Sequence, residues 1–278
     1  MKTPFFSIII PTYNRKEFVK IAITSVLSQS YPDYELIVID DGSCDGTKEA
    51  FNGYPGIKYV WQEHRGVAEA RNAGVRISGG EFICFLDSDD RFRQDKLEIT
   101  DKHIKANPKY KIFHTEEIWY RSGQYLAQKE YHRKLAGWVF ENAVKICSIS
   151  ISTVTIHKEI FKEVGLFDKN FSACEDYDFW LRVTAKFPVY LIPEYLTIKE
   201  GGHSDQQSKK YPAMDLFRIS ALQKIIADSS LSIENRNIAF QELKRKCEIY
   251  IKGAEKRGKF EEVDKYKKML LELENKYV

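Results

Sequence analysis

The chain has 278 residues, 43% of them hydrophobic and 30% charged, which suits one large α/β domain or a domain with an appendage. Its formal net charge of +3 is spread along the chain without a basic cluster, which argues against a nucleic-acid-binding protein. No apolar run approaches the ~18 to 20 residues that span a bilayer, and the N-terminus lacks a signal-peptide pattern. We therefore expect a cytoplasmic protein whose cysteines are reduced and mostly packed.

Strand-like and helix-like segments alternate through the first third of the chain. Four short apolar strands are predicted, over 5–11, 35–39, 57–61 and 82–86. Helical patterns lie between them, over 18–27, 47–51 and 67–77. This alternation predicts right-handed crossovers and a parallel sheet, with a ligand crevice at the carboxyl ends of its strands.

Acidic residues follow two of these strands at the point where each strand ends: Asp40 and Asp41 after the second, and Asp87, Asp89 and Asp90 after the fourth. Asp87 and Asp89 are two residues apart, so their carboxylates can converge on one hard cation or divide metal and hydroxyl contacts between them. The pattern predicts a divalent-metal and nucleotide site. The alternative is that these acids only form a turn or cap the next helix.

The second half of the chain carries weaker patterns. Its predicted elements are a helix over 96–105, a strand over 112–114, a meander with a loop through 117–147, a strand buried on one face over 149–156, and a short helix over 157–164. An edge strand over 195–199 is followed by a Gly-rich polar loop over 200–210 that contains His203.

The segment CEDYDFWLRVTAKF, over 174–187, is predicted to be a helix. Its first turn holds three acids, Glu175, Asp176 and Asp178. These acids either only stabilise the helix N-terminus or form part of a functional site beside Tyr177 and Trp180. Both interpretations stay open from the sequence.

Long helical patterns with few Gly or Pro residues occupy the end of the chain, over 214–227, 234–254 and 260–277. They predict a helical appendage. A single helical hairpin without a repeat favours packing against the rest of the chain over a repeat array.

Five stretches, SIIIPTYNR, ELIVIDDGSCDGT, GVAEARNAGV, GEFICFLDSDD and CEDYDFWLR, closely resemble in this order the family 2 glycosyltransferases with the GT-A fold. The resemblance covers about 5–207 and fades beyond 211. It implies a Rossmann-like, mostly parallel sheet flanked by helices, with a C-terminal helical appendage. The implied domains are a GT-A domain over 1–210 and the appendage over 211–278, with a nucleotide-sugar-binding half over 1–110 and an acceptor-binding half over 111–210.

The resemblance implies an inverting transfer of a sugar from a nucleotide-sugar donor to an acceptor hydroxyl, with Mn²⁺ or Mg²⁺ at the diphosphate. Asp40 or Asp41, with Asp41 preferred, would accept a hydrogen bond from a pyrimidine ring, which favours a UDP-sugar and leaves a dTDP-sugar open. The donor would also be bordered by three residues after the first strand: Pro11, Thr12 and Tyr13. Arg71 would contact the base, ribose or phosphate, unless it forms a helix-surface ion pair.

By the same resemblance, Asp87 would face the ribose or metal, Asp89 would bind the metal, and Ser88 would complete this donor-binding motif. Asp176 would be the general base, with Glu175 helping to hold the acceptor. A retaining route with Asp176 as nucleophile uses the same residue types and is excluded only by the resemblance. His203, in the loop after the last strands, is either a ligand of the metal or diphosphate, or it is a surface residue.

The implied acceptor is a glycan or lipid-linked glycan in the synthesis of a polysaccharide or lipopolysaccharide. A lipid-linked acceptor calls for peripheral contact with the inner face of the membrane, through the aromatic region over 117–140 or the tail. The C-terminal helices could also pair in a homo-oligomer. Two rivals are a nucleotidyltransferase, which should carry a Gly-rich basic phosphate loop after the first strand, and a non-catalytic nucleotide- or sugar-binding module of the same fold.

Overall fold

The computed structural model describes residues 3–203, 211 and 213–277. The first half contains β1 (Phe6–Thr12), α1 (Lys16–Leu27), β2 (Tyr34–Asp40), α2 (Thr47–Phe51), β3 (Ile57–Trp61), α3 (Val67–Ile77), β4 (Phe82–Phe85), β5 (Arg91–Phe92) and α4 (Lys96–Ala106). The second half contains β6 (Ile112–Arg121), β7 (Gln124–Leu126), α5 (Phe140–Lys145), β8 (Val154–His157), α6 (Ile160–Val164), α7 (Glu175–Thr184) and β9 (Tyr190–Gly201). Three helices follow: α8 (Asp215–Ile226), α9 (Ile233–Glu255) and α10 (Phe260–Tyr277).

One nine-stranded sheet runs in the order β3-β2-β1-β4-β8-β6-β9-β5, with β7 paired to β6. The first four strands pair in parallel, and the second half of the sheet is mixed. In the parallel half, Thr12 at the end of β1 pairs with Asp40 at the end of β2. The predicted α/β fold is confirmed, and the carboxyl ends of its first strands meet at one edge.

Helices cover both faces of the parallel strands, so side chains of alternating direction enter two different cores. Ile9 and Phe85 pack on one face with α3 and α7, whereas Ile8 and Cys84 pack on the other with α1 and α4. Helix α3 lies so close to the sheet that a Cβ at Gly74 would overlap with Ile9 Cγ2. A glycine at this position is therefore required for the helix to seat on β1.

Two strands of the second half are longer than predicted. The strand expected over 112–114 extends to Arg121 as β6, and the strand expected over 195–199 is the twelve-residue β9. The prediction that this segment forms an edge strand is wrong, because β9 lies between β6 and β5. Pro193 is tolerated inside the sheet because the register shifts there, with Ile192 opposite Thr115 and Tyr195 opposite Glu116.

The prediction of a strand over 149–156 with one buried face is also wrong. A 3₁₀ turn over Ile151–Thr153 comes first, and β8 then lies between β4 and β6 with both of its faces buried. The alternating hydroxyls are satisfied internally. The Asp87 N–H donates to Ser152 Oγ at 3.0 Å, and Lys134 Nζ donates to Thr153 Oγ1 at 2.9 Å. A strand whose hydroxyls bond to partners inside the protein thus has the same sequence pattern as a strand whose hydroxyls face solvent.

The C-terminal helices pack against the second half of the chain, as expected. Tyr177 and Leu181 of α7 share a core with Leu222 of α8 and with Phe240 and Leu243 of α9. The opposite face of α7 carries Phe179, Trp180 and Val183 into the core beneath the sheet. None of the described helices combines the length and apolar character that a membrane span requires.

We expect Leu243→Ala to lower the free energy of unfolding by about 2 to 5 kcal/mol, because Leu243 is fully buried in the core shared by α7 and the tail. Leu271 on α10 is 60% exposed, so Leu271→Ala should change this free energy by less than about 0.5 kcal/mol. Urea unfolding followed by circular dichroism measures both. Equally small losses in the two variants would contradict the shared core.

A second prediction concerns His114 of β6, whose Nε2 lies 2.9 Å from the Leu135 carbonyl oxygen. Burial, with Lys134 nearby, lowers the pKa of His114 to about 3. The unfolded chain binds this proton near pH 6.5 and the folded chain does not, so His114 costs stability as the pH falls between these values. We expect the stability deficit of His114→Gln relative to the wild type to shrink from pH 7 to pH 4. Parallel pH profiles in urea unfolding would refute this assignment.

Candidate active site

A cleft of about 1200 Å³ opens at the carboxyl ends of β1, β2 and β4. Its lining includes most of the predicted site residues: Pro11, Thr12, Tyr13, Asp41, Arg71, Asp87, Ser88, Asp89, Glu175 and Asp176. Asp40 and His203 lie outside this lining. Pro11 and Thr12 are buried and Tyr13 is exposed at the rim, so the end of β1 forms one wall.

The two acids after β2 have different surroundings. Asp40 is fully buried, and it accepts hydrogen bonds from the Ser43 N–H at 2.8 Å and from the Tyr59 hydroxyl. These contacts fix the turn after β2 and the neighbouring strand β3. Asp40 is therefore a structural residue behind the cleft, and only Asp41 borders it.

Asp41 organises the loop that leads into α3. Its Oδ1 accepts from the Gln62 side chain at 2.6 Å and the Arg65 N–H at 2.9 Å, and its Oδ2 from the Gly66 N–H at 2.8 Å. His64 Nδ1 also lies 2.8 Å from Oδ2. A carboxylate has about four lone-pair sites, so these contacts saturate Asp41. A pyrimidine N–H would have to replace one of these donors.

The His64 ring stacks on Tyr13, with 4.0 Å between the ring centroids. Thr12 Oγ1 is buried beside this pair and has no hydrogen-bond partner within the described part of the chain. The two rings and the hydroxyl thus form a flat, partly polar wall. His64 was not among the predicted residues, because a single His outside a motif carries no signal in the sequence.

Arg71 lies buried in the wall of the cleft and is not a surface ion pair. It is 4% exposed, and its Nη2 lies 2.8 Å from Asp87 Oδ1 while its Nη1 lies 2.5 Å from Glu175 Oε1. Burial alone would lower the pKa of Arg71, but Asp87 and Glu175 raise it above its ordinary value. One permanently charged side chain of α3 therefore joins the end of β4 to the start of α7.

Asp89 and Ser88 complete the acidic turn after β4. Asp89 Oδ2 lies 2.9 Å from Arg15 Nη1, and Ser88 is buried. Among the described residues, no group of three or more His, Cys, Asp or Glu is arranged to hold a metal ion. Mg²⁺ and Mn²⁺ commonly take one or two carboxylates, with substrate phosphates and water as the other ligands. The oxygen donors of Asp87 and Asp89 fit such an ion.

Lys199 of β9 contributes a positive charge next to this turn. Its Nζ lies 3.1 Å from Ser150 Oγ and 4.0 Å from Asp90 Oδ2. Burial alone would lower the pKa of Lys199, but the neighbouring acids, with Asp90 first, raise it above its ordinary value. The prediction for 195–199 concerned only a strand, so this cleft residue was missed. The buried Thr197, two positions earlier, indicates that Lys199 points inward.

The acids at the start of α7 have different surroundings: two are bound by cations of the fold, and one is partly exposed in the cleft. Glu175 is held by Arg71, and Asp178 is buried between Arg182 at 2.8 Å and Lys224 at 2.9 Å. Asp176 is partly exposed in the cleft, where its Oδ2 accepts from the Cys147 thiol at 3.5 Å. Tyr177 and Trp180 are core residues, each 1% exposed.

The remaining features lie at the edges of the cleft. The His203 ring lies 4.4 Å from the Phe18 ring of α1, and 204–210 of its predicted loop lie outside the described residues. Beyond Asp176 the tail supplies Tyr211, Met214 and Arg218 to the lining. This contribution could not be predicted, because contacts between distant helices leave no local pattern in the sequence.

We expect Arg71→Met to lower the free energy of unfolding by about 3 to 5 kcal/mol, because it leaves Glu175 buried without its cation. Arg76→Met on the same helix removes a half-exposed ion pair with Glu69 and should cost less than about 1 kcal/mol. Burial raises the pKa of Glu175, so a proton can neutralise it in the variant. The Arg71→Met deficit in urea unfolding should therefore shrink as the pH falls toward 4.5, the ordinary pKa of a glutamate, and stay constant below it. A deficit as small as that of Arg76→Met, or one independent of pH, would contradict the role of Arg71 as the buried partner of Glu175.

Comparison with known proteins identifies the family. The sequence profile described as Glycosyl transferase family 2 matches residues 7–161. An uncharacterised glycosyltransferase of Rickettsia conorii is 33% identical over 233 residues, which are 81% of this chain and 38% of that protein. The chain spans only about a third of the length of this relative and of a second one from Rickettsia felis, at 38% and 35%.

A shorter relative has a more specific name. The UDP-Glc:alpha-D-GlcNAc-diphosphoundecaprenol beta-1,3-glucosyltransferase WfgD of Escherichia coli is 34% identical over 64% of this chain and 68% of its own length. Among solved structures, Staphylococcus aureus TarS 1–349 in complex with UDP-GlcNAc has a TM-score of 0.70 at 20% identity, over 86% of this chain and 70% of that one.

The mannosyltransferase PcManGT of Pyrobaculum calidifontis, solved with GDP-Man and Mn²⁺, has a TM-score of 0.61 at 18% identity, over 91% of this chain and 76% of that one. At these identities the two solved structures support the fold alone. The sequence profile covers more than half of the chain and agrees with the fold. The chain therefore belongs to glycosyltransferase family 2 and has the GT-A fold that its motifs predicted.

Proposed function

We propose that this glycosyltransferase moves a sugar from a UDP-sugar to an acceptor hydroxyl with inversion, using a divalent metal at Asp87 and Asp89 and Asp176 as general base. One observation carries the proposal: Arg71 contacts both Asp87 and Glu175, so the first turn of α7 is fixed beside the acidic turn after β4. Asp176 then faces the same cleft as Asp87 and Asp89.

The uridine would lie against the Tyr13 and His64 rings, with the loop held by Asp41 beneath it. The buried Thr12 hydroxyl offers a further polar contact. The E. coli relative carries UDP-Glc in its name, and TarS was solved with UDP-GlcNAc, whereas PcManGT was solved with GDP-Man. Similarity in sequence to the E. coli protein favours a uracil base over guanine here.

Asp87 and Asp89 would hold the metal, and Mn²⁺ is present in the PcManGT structure. A bound divalent cation stabilises the negative charge of the departing diphosphate as a Lewis acid. Lys199 adds a fixed positive charge to the same cleft, 4.0 Å from Asp90. The metal and Lys199 together would favour the leaving group in its charged form.

Asp176 would accept the proton of the acceptor hydroxyl as that oxygen attacks the anomeric carbon. The hydroxyl becomes acidic only as the new bond forms, so the base has to be ionised and correctly placed. Glu175 points to Arg71, and we assign it to positioning Asp87 and α7 rather than to holding the acceptor.

The acceptor side would be built by 111–210 together with the tail, which supplies Tyr211, Met214 and Arg218 to the cleft. The donor side would be built by 1–110. The E. coli relative is named for a diphosphoundecaprenol-linked acceptor. A lipid-linked glycan of surface polysaccharide synthesis is therefore the proposed acceptor, reached by peripheral contact with the inner face of the membrane.

Thermal shifts test the donor site. We expect UDP with Mn²⁺ to stabilise the protein by about 2.7 kcal/mol at 100 times its dissociation constant, with smaller effects from GDP and CDP. Asp89→Asn should abolish this shift, and Asp95→Asn, which alters an exposed ion pair with Arg93, should retain it. A larger shift with GDP would refute the uridine assignment. No shift with any nucleotide would refute the donor site.

Donor hydrolysis tests the chemistry without a known acceptor. With water in place of the acceptor, we expect UDP and free sugar from UDP-Glc or UDP-GlcNAc, and a loss of about 10² to 10⁴-fold in Asp176→Asn. Nuclear magnetic resonance should show the β-anomer as the first product of an α-linked donor. Initial α-sugar would instead assign Asp176 as a nucleophile, and UMP with a sugar phosphate would favour the nucleotidyltransferase rival.

A further inference from the structure

Arg15 forms an ion pair with Asp89, one of the two carboxylates that would hold the proposed metal. It lies at the end of the loop between β1 and α1, and its Nη1 is 2.9 Å from Asp89 Oδ2. The Arg15 and Asp89 side chains are only 17% and 14% exposed, and the Phe18 ring lies 6.0 Å from Arg15 Cζ. Water therefore screens this ion pair much less than a surface pair.

The other acids around Asp89 are also matched by cations. Asp87 and Glu175 share Arg71, and Asp90 faces Lys199 at 4.0 Å. With Asp176, which faces the same cleft, five acids stand against three cations in this group, an excess of at most two charges. A divalent cation that arrives alone would have to compete with Arg15 for Asp89 and would be repelled by it.

A nucleotide diphosphate changes this balance, because it brings at least two negative charges into the same cleft. Arg15 lines that cleft together with Asp89, so its guanidinium is within the space where phosphate oxygens would lie. Guanidinium groups bind phosphate in the same bidentate manner as carboxylate. The diphosphate can therefore replace Asp89 as the partner of Arg15, and the metal can then replace Arg15 as the partner of Asp89.

We propose that Arg15 makes metal binding conditional on the nucleotide: it pairs with Asp89 while the cleft lacks a donor, and it turns to the diphosphate when metal and donor enter together. Arg15 is then a positioning residue that couples the two ligands. The inference rests on the proposed metal and nucleotide site. It adds a residue whose effect appears in binding itself and needs no turnover.

The experiment measures Mn²⁺ binding by electron paramagnetic resonance, with and without UDP, in the wild type and four variants. In Arg15→Gln we expect Mn²⁺ alone to bind about tenfold more tightly, because the competing cation is gone. With UDP present, Mn²⁺ should bind no more tightly than in the wild type, because the diphosphate has lost a partner. The factor by which UDP strengthens Mn²⁺ binding should therefore fall by about tenfold or more.

The control variants distinguish an effect of charge from an effect of packing. They also distinguish a failure of this inference from a failure of the proposed metal site. Arg15→Lys keeps the charge and should bind Mn²⁺ alone as weakly as the wild type, and Arg93→Gln, at an exposed ion pair, should change nothing. Unchanged or weaker binding of Mn²⁺ alone in Arg15→Gln, while Asp89→Asn abolishes binding with UDP, would overturn the role of Arg15 and leave the site intact. Binding that survives Asp89→Asn would overturn the metal site and the inference with it.

Discussion

The architecture of the cleft depends on one buried guanidinium. Arg71 of α3 binds Asp87 at the end of β4 and Glu175 at the start of α7, so a helix, a strand and a distant helix meet at one side chain. A buried charge is stable only while its partners are in place, and each partner in turn needs Arg71. The acidic turn after β4 and the proposed base are therefore held at a fixed separation, as the proposed single displacement would require.

Helix α7 carries this constraint into the rest of the molecule. One face of α7 packs beneath the sheet through Phe179 and Val183, and the other packs against the tail through Tyr177 and Leu181. Asp176 stands on the first turn between these two cores. The tail thus contributes to the position of Asp176 through packing, in addition to the side chains that it places in the cleft.

The sequence predicted the features that depend on local patterns. Asp87 and Asp89 follow a fully apolar strand, so their place at the edge of the sheet could be predicted from the pattern, whereas the place of Asp176 was implied only by the family resemblance. The partners of these acids could not be predicted. Arg15 meets Asp89, and Arg71 meets Glu175, across long stretches of chain, and nothing in the spacing of the residues indicates these pairs. The lengths of β6 and β9 were also hidden, because a register shift around Pro193 interrupts their pattern.

Adjacent acids recur at the cleft with a consistent division of roles. Asp40 is buried behind Asp41, Asp90 is buried beside Asp89, and Glu175 is buried beside Asp176. Successive side chains at the end of a strand or the start of a helix point in different directions, so the two acids of each pair have different partners. Asp40 fixes a turn, Asp90 faces Lys199, and Glu175 holds Arg71. Each pair therefore includes one carboxylate that ties the local backbone to the surrounding fold.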